Sequence, residues 1–513
     1  MTLTASMTAE TLSAATPKNR DRYIDLVRAV SICVVIFGHW LITVIRWGDP
    51  PSPDNLLAVA PWLQPITWLL QIMPLFFVVG GFSNALSLAS TRRRGGGYAD
   101  FLYHRLERLL RPVAVFLAVW VAVAASLLWV APTHPVVGLA AVISVQPLWF
   151  IGLYVLVIAL APLTLAAHRR FGLAVPLALA GAVALVDWTR MNTDLAMIGA
   201  LNFALVWLFA HQLGYFYADG RLLRLGRGAL LGLAVAALAA LILLTTMGPY
   251  PMSMVGLPNA TFSNMSPPSL CIVALTVWLL ALAMLLRGPA TRLLERVRVW
   301  AAVVQVNSVI MTIFLWHLTA LLVSLSVVFW LGLSIPDVGT AGWWLLRPVW
   351  LAVLLAVLLG FVALFGRVER MPPSQSTLVG PGRPRTALAA LGGTWVIIGV
   401  CGVALNGLAG LLTGERAALI LLSVTPVLSL LALGLGTALV RVAIQPHGRR
   451  VGFLAALVFA LLALAEAAGA GSAAGSLPSA VMYGLTAATV AWAAWAMRPA
   501  IPPLTMEPPP IAP

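Results

Sequence analysis

Charged residues are scarce in this chain: Asp, Glu, Lys and Arg together make up 9% of 513 residues, against roughly 25% in soluble domains. This scarcity excludes an ordinary soluble globular protein. Hydrophobic residues account for 61% of the chain and the mean hydropathy is +0.98. Apolar runs of about 20 residues, long enough to span a bilayer, recur along the whole length. The sequence therefore predicts an all-α polytopic membrane protein.

Cysteine is also rare. Cys33, Cys271 and Cys401 all lie in apolar segments and have no metal-ligand spacing, which excludes a disulfide framework and favours small core residues. The seven histidines are dispersed, and none has another histidine or a cysteine four residues away. We therefore predict no metal site and no bound cofactor.

Lysine is nearly absent, since Lys18 is the only lysine among 31 basic residues. This bias is typical of a GC-rich, bacterial genome. The net charge of +15 does not indicate nucleic acid as a partner, because the arginines are spread over alternate loops and form no single patch.

We predict about fourteen transmembrane helices, ten before and four after a segment rich in Pro, Gly and Ser. The predicted units are a cytoplasmic tail (1–21), a membrane domain (22–368), a cytoplasmic linker (369–386), a four-helix membrane extension (387–500) and a disordered tail (501–513). The second span, 62–90, contains Pro74 and Gly80–Gly81, which predicts a kink or break.

The loops predict the topology. One set of alternate loops carries most of the arginines, whereas the opposite loops hold mainly Arg46, Arg190 and Arg416. By the positive-inside rule the arginine-rich side is cytoplasmic. We therefore expect a multi-pass protein of the cell membrane with both termini in the cytoplasm.

The first span contains the most informative pair of residues. Arg28 and His39 are eleven residues apart, which places them on one stripe of a helix and about 16 Å apart along its axis. Ionisable groups inside a membrane are costly and are usually functional. The alternative interpretation is a snorkelling arginine and a structural histidine.

Five local patterns follow one another along the chain, each built from arginine, histidine, proline or aromatic residues. They are Arg28 with Gly38-His39-Trp40; Met73-Pro74 through Gly80-Gly81-Phe82; Arg105 and Arg108 with Glu107 and Arg111; Pro147-Leu148-Trp149-Phe150; and Phe314-Leu315-Trp316-His317. In this order they resemble the acyltransferase-3 family of membrane acyltransferases over residues 22–366, or ten spans. The chain departs from the family where Gly80 replaces a serine that often precedes Gly-Phe, and where four spans replace a soluble domain.

The resemblance implies an O-acyltransferase that moves an acyl group, commonly acetyl, from cytoplasmic acyl-CoA as co-substrate to a hydroxyl of a glycan or lipid-linked sugar in the cell envelope. His39 would act as general base, with Arg28 and Asp25 in the catalytic group. The phosphates of acyl-CoA would be bound by Arg105, Arg108 and Arg111. The substrate channel would be lined by Trp149 and His317.

Other interpretations stay open from the residues alone. Asp25 is three residues before Arg28, a spacing at which it could pair with Arg28 and orient it. The spacing of Arg105, Arg108 and Arg111 also fits ordinary positive-inside anchors. His317 and His211 fit structural histidines, and Arg347 fits a snorkelling side chain. The loop 248–268 suits either a sugar acceptor or a rigid connector. A secondary transporter and a non-catalytic assembly protein are the alternative functions, although no inverted repeat supports the transporter.

Overall fold

A computed structural model describes residues 16–17, 20–46, 52–131, 135–258, 260–372, 374, 378–411, 417–419, 422–445, 448–468 and 477–497. Lys18, Arg416 and the tail 501–513, all considered above, lie outside these residues, as does Asn259 of the loop 248–268. The described chain is almost entirely helical, which confirms the predicted all-α polytopic class.

Eighteen α-helices occur among the described residues. In chain order they are α1 Arg22–Ile42, α2 Leu56–Val59, α3 Thr67–Leu70, α4 Met73–Arg93, α5 Tyr98–Val130, α6 Pro135–Ile143, α7 Leu148–Phe171, α8 Ala174–Asn192, α9 Leu201–Ala218, α10 Arg227–Thr246, α11 Leu270–Leu293, α12 Val297–Ser308, α13 Ile310–Trp330, α14 Ala341–Arg370, α15 Arg383–Asn406, α16 Pro426–Ala443, α17 Gly448–Ala468 and α18 Leu477–Ala496.

Strands are short and confined to loops. β1 (Thr43–Arg46) pairs antiparallel with β2 (Ser52–Asn55), with Thr43 opposite Asn55. β3 (Ala417–Leu419) pairs in the same way with β4 (Leu422–Val424). Short 3₁₀ turns are at Pro61–Ile66, Ala196–Ala200, Leu222–Arg224 and Ala409–Leu411.

Twelve segments of the described chain are long and apolar enough to cross a membrane, from Arg22–Ile42 to Pro426–Ala443. The predicted thirteenth and fourteenth spans correspond to α17 and α18, which contain the shorter apolar stretches Leu454–Leu464 and Val481–Ala496. We define the arginine-rich end of the bundle by the turn from α4 to α5, which holds Arg92, Arg93 and Arg94.

The second span is broken, as its sequence predicts. α3 ends at Leu70 and α4 begins at Met73, so Gln71 and Ile72 interrupt the helix. Pro74 lies in the first turn of α4, where its missing N–H costs no hydrogen bond.

The loop between α10 and α11 packs over this break and satisfies its polar groups. Trp68 Nε1 donates to the Met252 carbonyl (2.8 Å) and Thr67 Oγ1 accepts from the Met254 amide (2.9 Å). The Asn264 side-chain amide donates to two carbonyls of the same loop. Because its polar side chains are used internally, the geometry favours the rigid connector over a sugar-binding loop.

The same loop is anchored to α8 through Tyr250. Its hydroxyl donates to Asp187 Oδ2 (3.1 Å), which also accepts from the Leu270 amide (2.8 Å). Burial, together with the Asp187 carboxylate, raises the pKa of the Tyr250 hydroxyl. The phenol therefore remains a hydrogen-bond donor throughout the neutral pH range.

α1 is central to the membrane domain and packs against α4, α11, α12 and α13. Its first turn is fixed by Asp21, whose side chain accepts from the amides of Tyr23 and Ile24 and from the Tyr217 hydroxyl of α9 (2.8 Å). An N-cap of this kind supplies partners for the otherwise unpaired amides of a helix start. The position of every functional group on α1 depends on this anchoring.

α13 is capped by a carboxylate from the next helix. Glu369 of α14 accepts from the amides of Met311 (3.0 Å) and Thr312 (2.8 Å), and from the Thr312 hydroxyl (2.8 Å). An anion at a helix N-terminus satisfies free amides and the helix dipole together. Since α14 continues to Arg370, Glu369 and Arg370 belong to this helix and not to the linker.

The segment between α14 and α15 is tied to the start of α5. Glu107 accepts from the amide (3.0 Å) and hydroxyl of Ser374, and Asp100 accepts from the amide of Val379 (3.0 Å). α15 then packs directly on α7, where a Cβ placed on Gly152 would lie 2.3 Å from Cys401 Sγ. The extension is thus packed against the membrane domain from its first helix.

α4 and α9 approach each other closely enough for their backbones to touch. A Cβ on Gly81 would lie 2.0 Å from the His211 carbonyl oxygen, and one on Gly214 would lie 2.1 Å from the Val78 oxygen. Small residues permit such contacts between membrane helices.

We expect Gly81→Ala to force α4 and α9 apart. Overpacking a tight contact costs about 1–3 kcal/mol, so the apparent melting temperature of the purified protein should fall by several degrees. Gly232→Ala in α10 is the matched control, because a Cβ there meets no atom within 4 Å. Equal melting temperatures for the two variants would contradict the close contact.

Candidate active site

Two histidines from distant parts of the chain form the centre of the site. His39 Nδ1 on α1 lies 2.8 Å from His317 Nε2 on α13, with the ring planes only 11° apart. His317 is fully buried, whereas His39 remains partly exposed. The structure therefore places His317, predicted for the substrate channel, in direct contact with the predicted general base.

The hydrogen bonds around the pair determine which nitrogens carry protons. His317 Nδ1 lies 2.5 Å from the Phe314 carbonyl oxygen, which can only accept, so Nδ1 of His317 is the donor. In the neutral ring Nε2 then carries a lone pair and accepts from His39 Nδ1. Neutral His39 is consequently left with its lone pair on Nε2.

α1 and α13 are joined beside this pair by a second bond. Trp40 Nε1 donates to the His317 carbonyl oxygen (3.0 Å), and both side chains are fully buried. Because Trp40 follows His39 directly, this contact fixes the position of α1 along its axis relative to α13. The histidine pair is therefore held by two independent links.

Arg28 and Asp25 form a polar cluster nearer the arginine-rich end. Asp25 accepts from Arg20 Nε (2.6 Å) and lies 3.5 Å from Arg28 Nη1. Arg28 Nη2 also donates to Ser83 Oγ on α4 (2.9 Å). Asp25 is 6% exposed and is engaged by two guanidinium groups, an arrangement that suits orientation of Arg28 better than proton transfer.

Arg105 of α5 extends this cluster towards α7. Its Nη2 donates to the Tyr154 hydroxyl (3.3 Å), while its buried Nε has no hydrogen-bond partner among the described residues. Arg105 thus faces the partly exposed Tyr154.

Tyr154 occupies the space beside Gly80. A Cβ built on Gly80 would lie 2.9 Å from Tyr154 Cε2 and 3.4 Å from its hydroxyl oxygen. The glycine that departs from the family pattern therefore makes room for the tyrosine ring. The Tyr154 hydroxyl thus lies beside position 80, at which the family often has a serine.

Arg108 and Arg111 are placed differently from Arg105. Arg108 is exposed to the surroundings at the arginine-rich end. Arg111 pairs with Glu107 (2.8 Å) and donates to the carbonyls of Met371 (3.0 Å) and Pro372 (3.1 Å). The Arg111 guanidinium is thus used to hold the segment after α14.

An aromatic wall connects the two polar clusters. Phe150 of α7 stacks on Tyr154 (5.8 Å between ring centroids) and meets Phe314 edge-on (5.2 Å), and Phe314 stacks on His317 (5.8 Å). Trp149, the predicted channel residue, instead faces Trp207 of α9 (6.5 Å). In the described ring contacts, Phe150 and not Trp149 leads to the histidine pair.

Sequence patterns left three participants unnoticed: Tyr154, Ser83 and the carbonyl of Phe314. Tyr154 and Ser83 have ordinary neighbours in the sequence, although each lies within four residues of a recognised pattern. The Phe314 carbonyl has no side-chain signal at all. No cluster of three or more His, Cys, Asp or Glu side chains suited to a metal ion occurs within the part of the chain that the structure describes.

The structure is a helical membrane bundle. It contains an arginine cluster near one end and a histidine pair deeper inside, an arrangement that suits an integral membrane group-transfer protein. The family comparison makes this specific, since a model described as an acyltransferase domain matches residues 21–367. The chain belongs to this acyltransferase-3 family. No curated protein and no solved structure matches it.

The proton positions can be read directly by ¹⁵N NMR of histidine-labelled protein in lipid. We expect the neutral rings of His39 and His317 to be protonated at Nδ1 and unprotonated at Nε2. The Phe314 carbonyl determines which nitrogen of His317 is protonated, and His317 then determines which nitrogen of His39 is protonated. Spectra of His39→Ala and His317→Ala assign the signals among seven histidines. A signal from His39 protonated at Nε2 would overturn the assigned chain of hydrogen bonds.

Proposed function

We propose that this acyltransferase moves an acyl group, most simply acetyl, from acyl-CoA at the arginine-rich end to a hydroxyl of a glycan or lipid-linked sugar at the opposite end. The arginine-rich end is cytoplasmic in this proposal, in agreement with the positive-inside rule. The observation that carries the proposal is the His39–His317 pair, with the basic nitrogen of His39 left free.

His39 is the general base. A base must have a lone pair within reach of the proton it removes. His39 is partly exposed and, in its neutral form, carries its lone pair on Nε2. When Nε2 takes a proton, Nδ1–H of His39 still donates to His317 Nε2, and the two rings share the positive charge. His317 therefore orients His39 and stabilises its protonated form, the role of the third group in a nucleophile–base–orienter arrangement.

Acyl-CoA binds with its phosphates towards Arg28 and Arg105. Guanidinium groups match phosphate geometry with paired donors, and Arg105 has a free donor at Nε. The axial distance of about 16 Å between Arg28 and His39 suits a pantetheine arm that extends along the stripe of α1. The aromatic wall of Phe150 and Phe314 then lines the path to the histidine pair.

The reaction balances without a further reactant. The acceptor hydroxyl gives its proton to His39 Nε2 as its oxygen attacks the thioester carbonyl carbon. The C–O bond forms, the C–S bond breaks, and the CoA sulfur leaves and receives the proton from His39 Nε2, which returns His39 to its neutral form. An ester and free CoA are the products.

Replacing His39 by Ala removes the base, which contributes about 10²–10⁴-fold to such reactions. We expect CoA release and transfer by purified protein in lipid to fall by this factor, with little change in KM for acyl-CoA. His317→Gln, which keeps an acceptor for His39 Nδ1, should retain more activity than His317→Ala.

His104→Ala is the control for these variants, since His104 lies on α5 and contacts only Tyr103 among the described ring pairs. It should keep wild-type rates. Full activity in His39→Ala with a folded protein would remove the catalytic role and leave His39 as a structural residue.

The arginines should separate into two groups. We expect Arg105→Gln to raise the KM for acyl-CoA about tenfold or more, because a charge-assisted contact of about 1.5–3 kcal/mol is lost. Arg111→Gln should instead lower the melting temperature and leave this KM unchanged, since its guanidinium holds Glu107 and the Met371 and Pro372 carbonyls. A larger KM effect from Arg111→Gln would reverse the assignment.

A further inference from the structure

A cavity of about 350 Å³ opens beyond the histidine pair, on the side away from the arginine-rich end. Thr43 and Leu321 are among the residues that line it. Leu321 lies four residues after His317 on α13, which is one helical turn or about 6 Å. Thr43 directly follows the last residue of α1, the helix that carries His39. The cavity therefore borders the candidate active site from the side opposite to the predicted acyl-CoA site.

Arg347 of α14 lines this cavity and is buried. The residue is 7% exposed, and its Nε has no hydrogen-bond partner in the described structure. Its guanidinium carbon lies 3.9 Å from the ring centre of Trp343. Among the described residues no carboxylate lies within ion-pair distance of it. The Arg347 guanidinium is thus buried against Trp343, one turn nearer the start of α14.

A buried guanidinium without an anionic partner is costly. Stacking on an indole offsets only part of this cost, about 0.5–2 kcal/mol. In a membrane protein, an unpaired charge that faces a cavity usually marks a substrate path. An anion that enters the cavity would supply the missing partner.

The remaining lining suits a polar ligand of sugar size. Thr43 and Asp337 provide a hydroxyl and a carboxylate, whereas Trp350, Val44 and Ile335 provide apolar surface. Binding sites for small ligands combine mostly apolar walls with a few polar groups that fix orientation. A carboxylate such as Asp337 can accept hydrogen bonds from sugar hydroxyls, but it would repel a ligand that consisted only of an anion.

We propose that this cavity is the acceptor site and that the acceptor is a sugar bearing a carboxylate or phosphate group, which Arg347 binds. The identification of the ligand as acceptor rests on the proposed acyltransferase function. With the anion at Arg347, the sugar fills the cavity and presents a hydroxyl across one helical turn to His39. Arg347 is thus a specificity-determining residue and takes no part in proton transfer.

The first test is binding, which does not depend on turnover. Full-length protein in phosphatidylcholine nanodiscs is titrated with two pairs of sugars that differ in charge, glucuronate against glucose and N-acetylglucosamine 1-phosphate against N-acetylglucosamine. Thermal stabilisation reports the affinity. We expect at least one charged sugar to bind wild type about tenfold or more tightly than its neutral partner.

Three variants assign this preference. Arg347→Gln should abolish it, and Arg347→Lys should retain part of it. Arg190→Gln is the matched control, because Arg190 also lies 3.9 Å over an aromatic ring, that of Phe262, but does not line the cavity. Arg190→Gln should bind the charged sugar as wild type does.

Two outcomes would overturn the proposal. The first is that wild-type protein binds the two charged sugars and decyl phosphate, a lipid-like phosphate, no more tightly than it binds the neutral sugars. This result needs no variant. The other is an unchanged preference in folded Arg347→Gln. Decyl phosphate distinguishes the sources of the anion: binding of the charged sugars places the charge on the sugar itself, whereas binding of decyl phosphate alone places it on a lipid carrier.

The second test is transfer. In Arg347→Gln, the KM for the charged sugar should rise about tenfold or more, and that for the neutral sugar should not change. Arg190→Gln, which lies outside the cavity, should keep the wild-type KM for both sugars. A wild-type protein that binds charged sugars through Arg347 but never releases CoA would contradict the acyltransferase proposal alone.

Discussion

The hydrogen bond from His317 to the carbonyl of Phe314 is the constraint on which the candidate site depends. A carbonyl cannot donate, so this one contact fixes the proton of His317, and through it the proton of His39. Through two hydrogen bonds, this backbone carbonyl determines that the lone pair of neutral His39 is on Nε2. Capping of α13 by Glu369 and the Trp40 bond hold that carbonyl and both rings in place. The chemistry of the pair is therefore set by backbone geometry as much as by side chains.

Some polar groups along the site are paired and others are not. The histidines bond to each other through one nitrogen each, and Asp25 is engaged by Arg20 and Arg28. Arg105 on one side and Arg347 on the other keep a buried Nε without a partner. Since an apolar environment penalises such donors, their positions on either side of the pair support the proposal that two substrates bind on opposite sides of it.

The arginines also illustrate why charge alone is a poor guide to function. Arg105 and Arg111 lie on the same helix, six residues apart, yet one faces Tyr154 and the other holds the segment after α14. Glu107 joins Arg111 to Ser374, so part of a motif that resembles a ligand site serves the packing of the chain. The glycines at 80 and 81 differ in the same way. One makes room for a tyrosine ring, and the other permits contact between two helix backbones.

The sequence by itself determined the membrane class, the break before Pro74 and the stripe that carries Arg28 and His39, because these depend on hydropathy, local backbone chemistry and helical periodicity. The resemblance of its motifs indicated the family. It also identified His317, but for the substrate channel and not as the partner of His39. Tertiary structure alone decided that His317 meets His39 across 278 positions of sequence. It also decided that Tyr154 stands beside Gly80, that Trp149 turns towards Trp207, and that Arg347 is buried against Trp343. These facts depend on which helices are neighbours and how they are rotated, and a hydrophobic pattern that is apolar on nearly every face contains no signal for either.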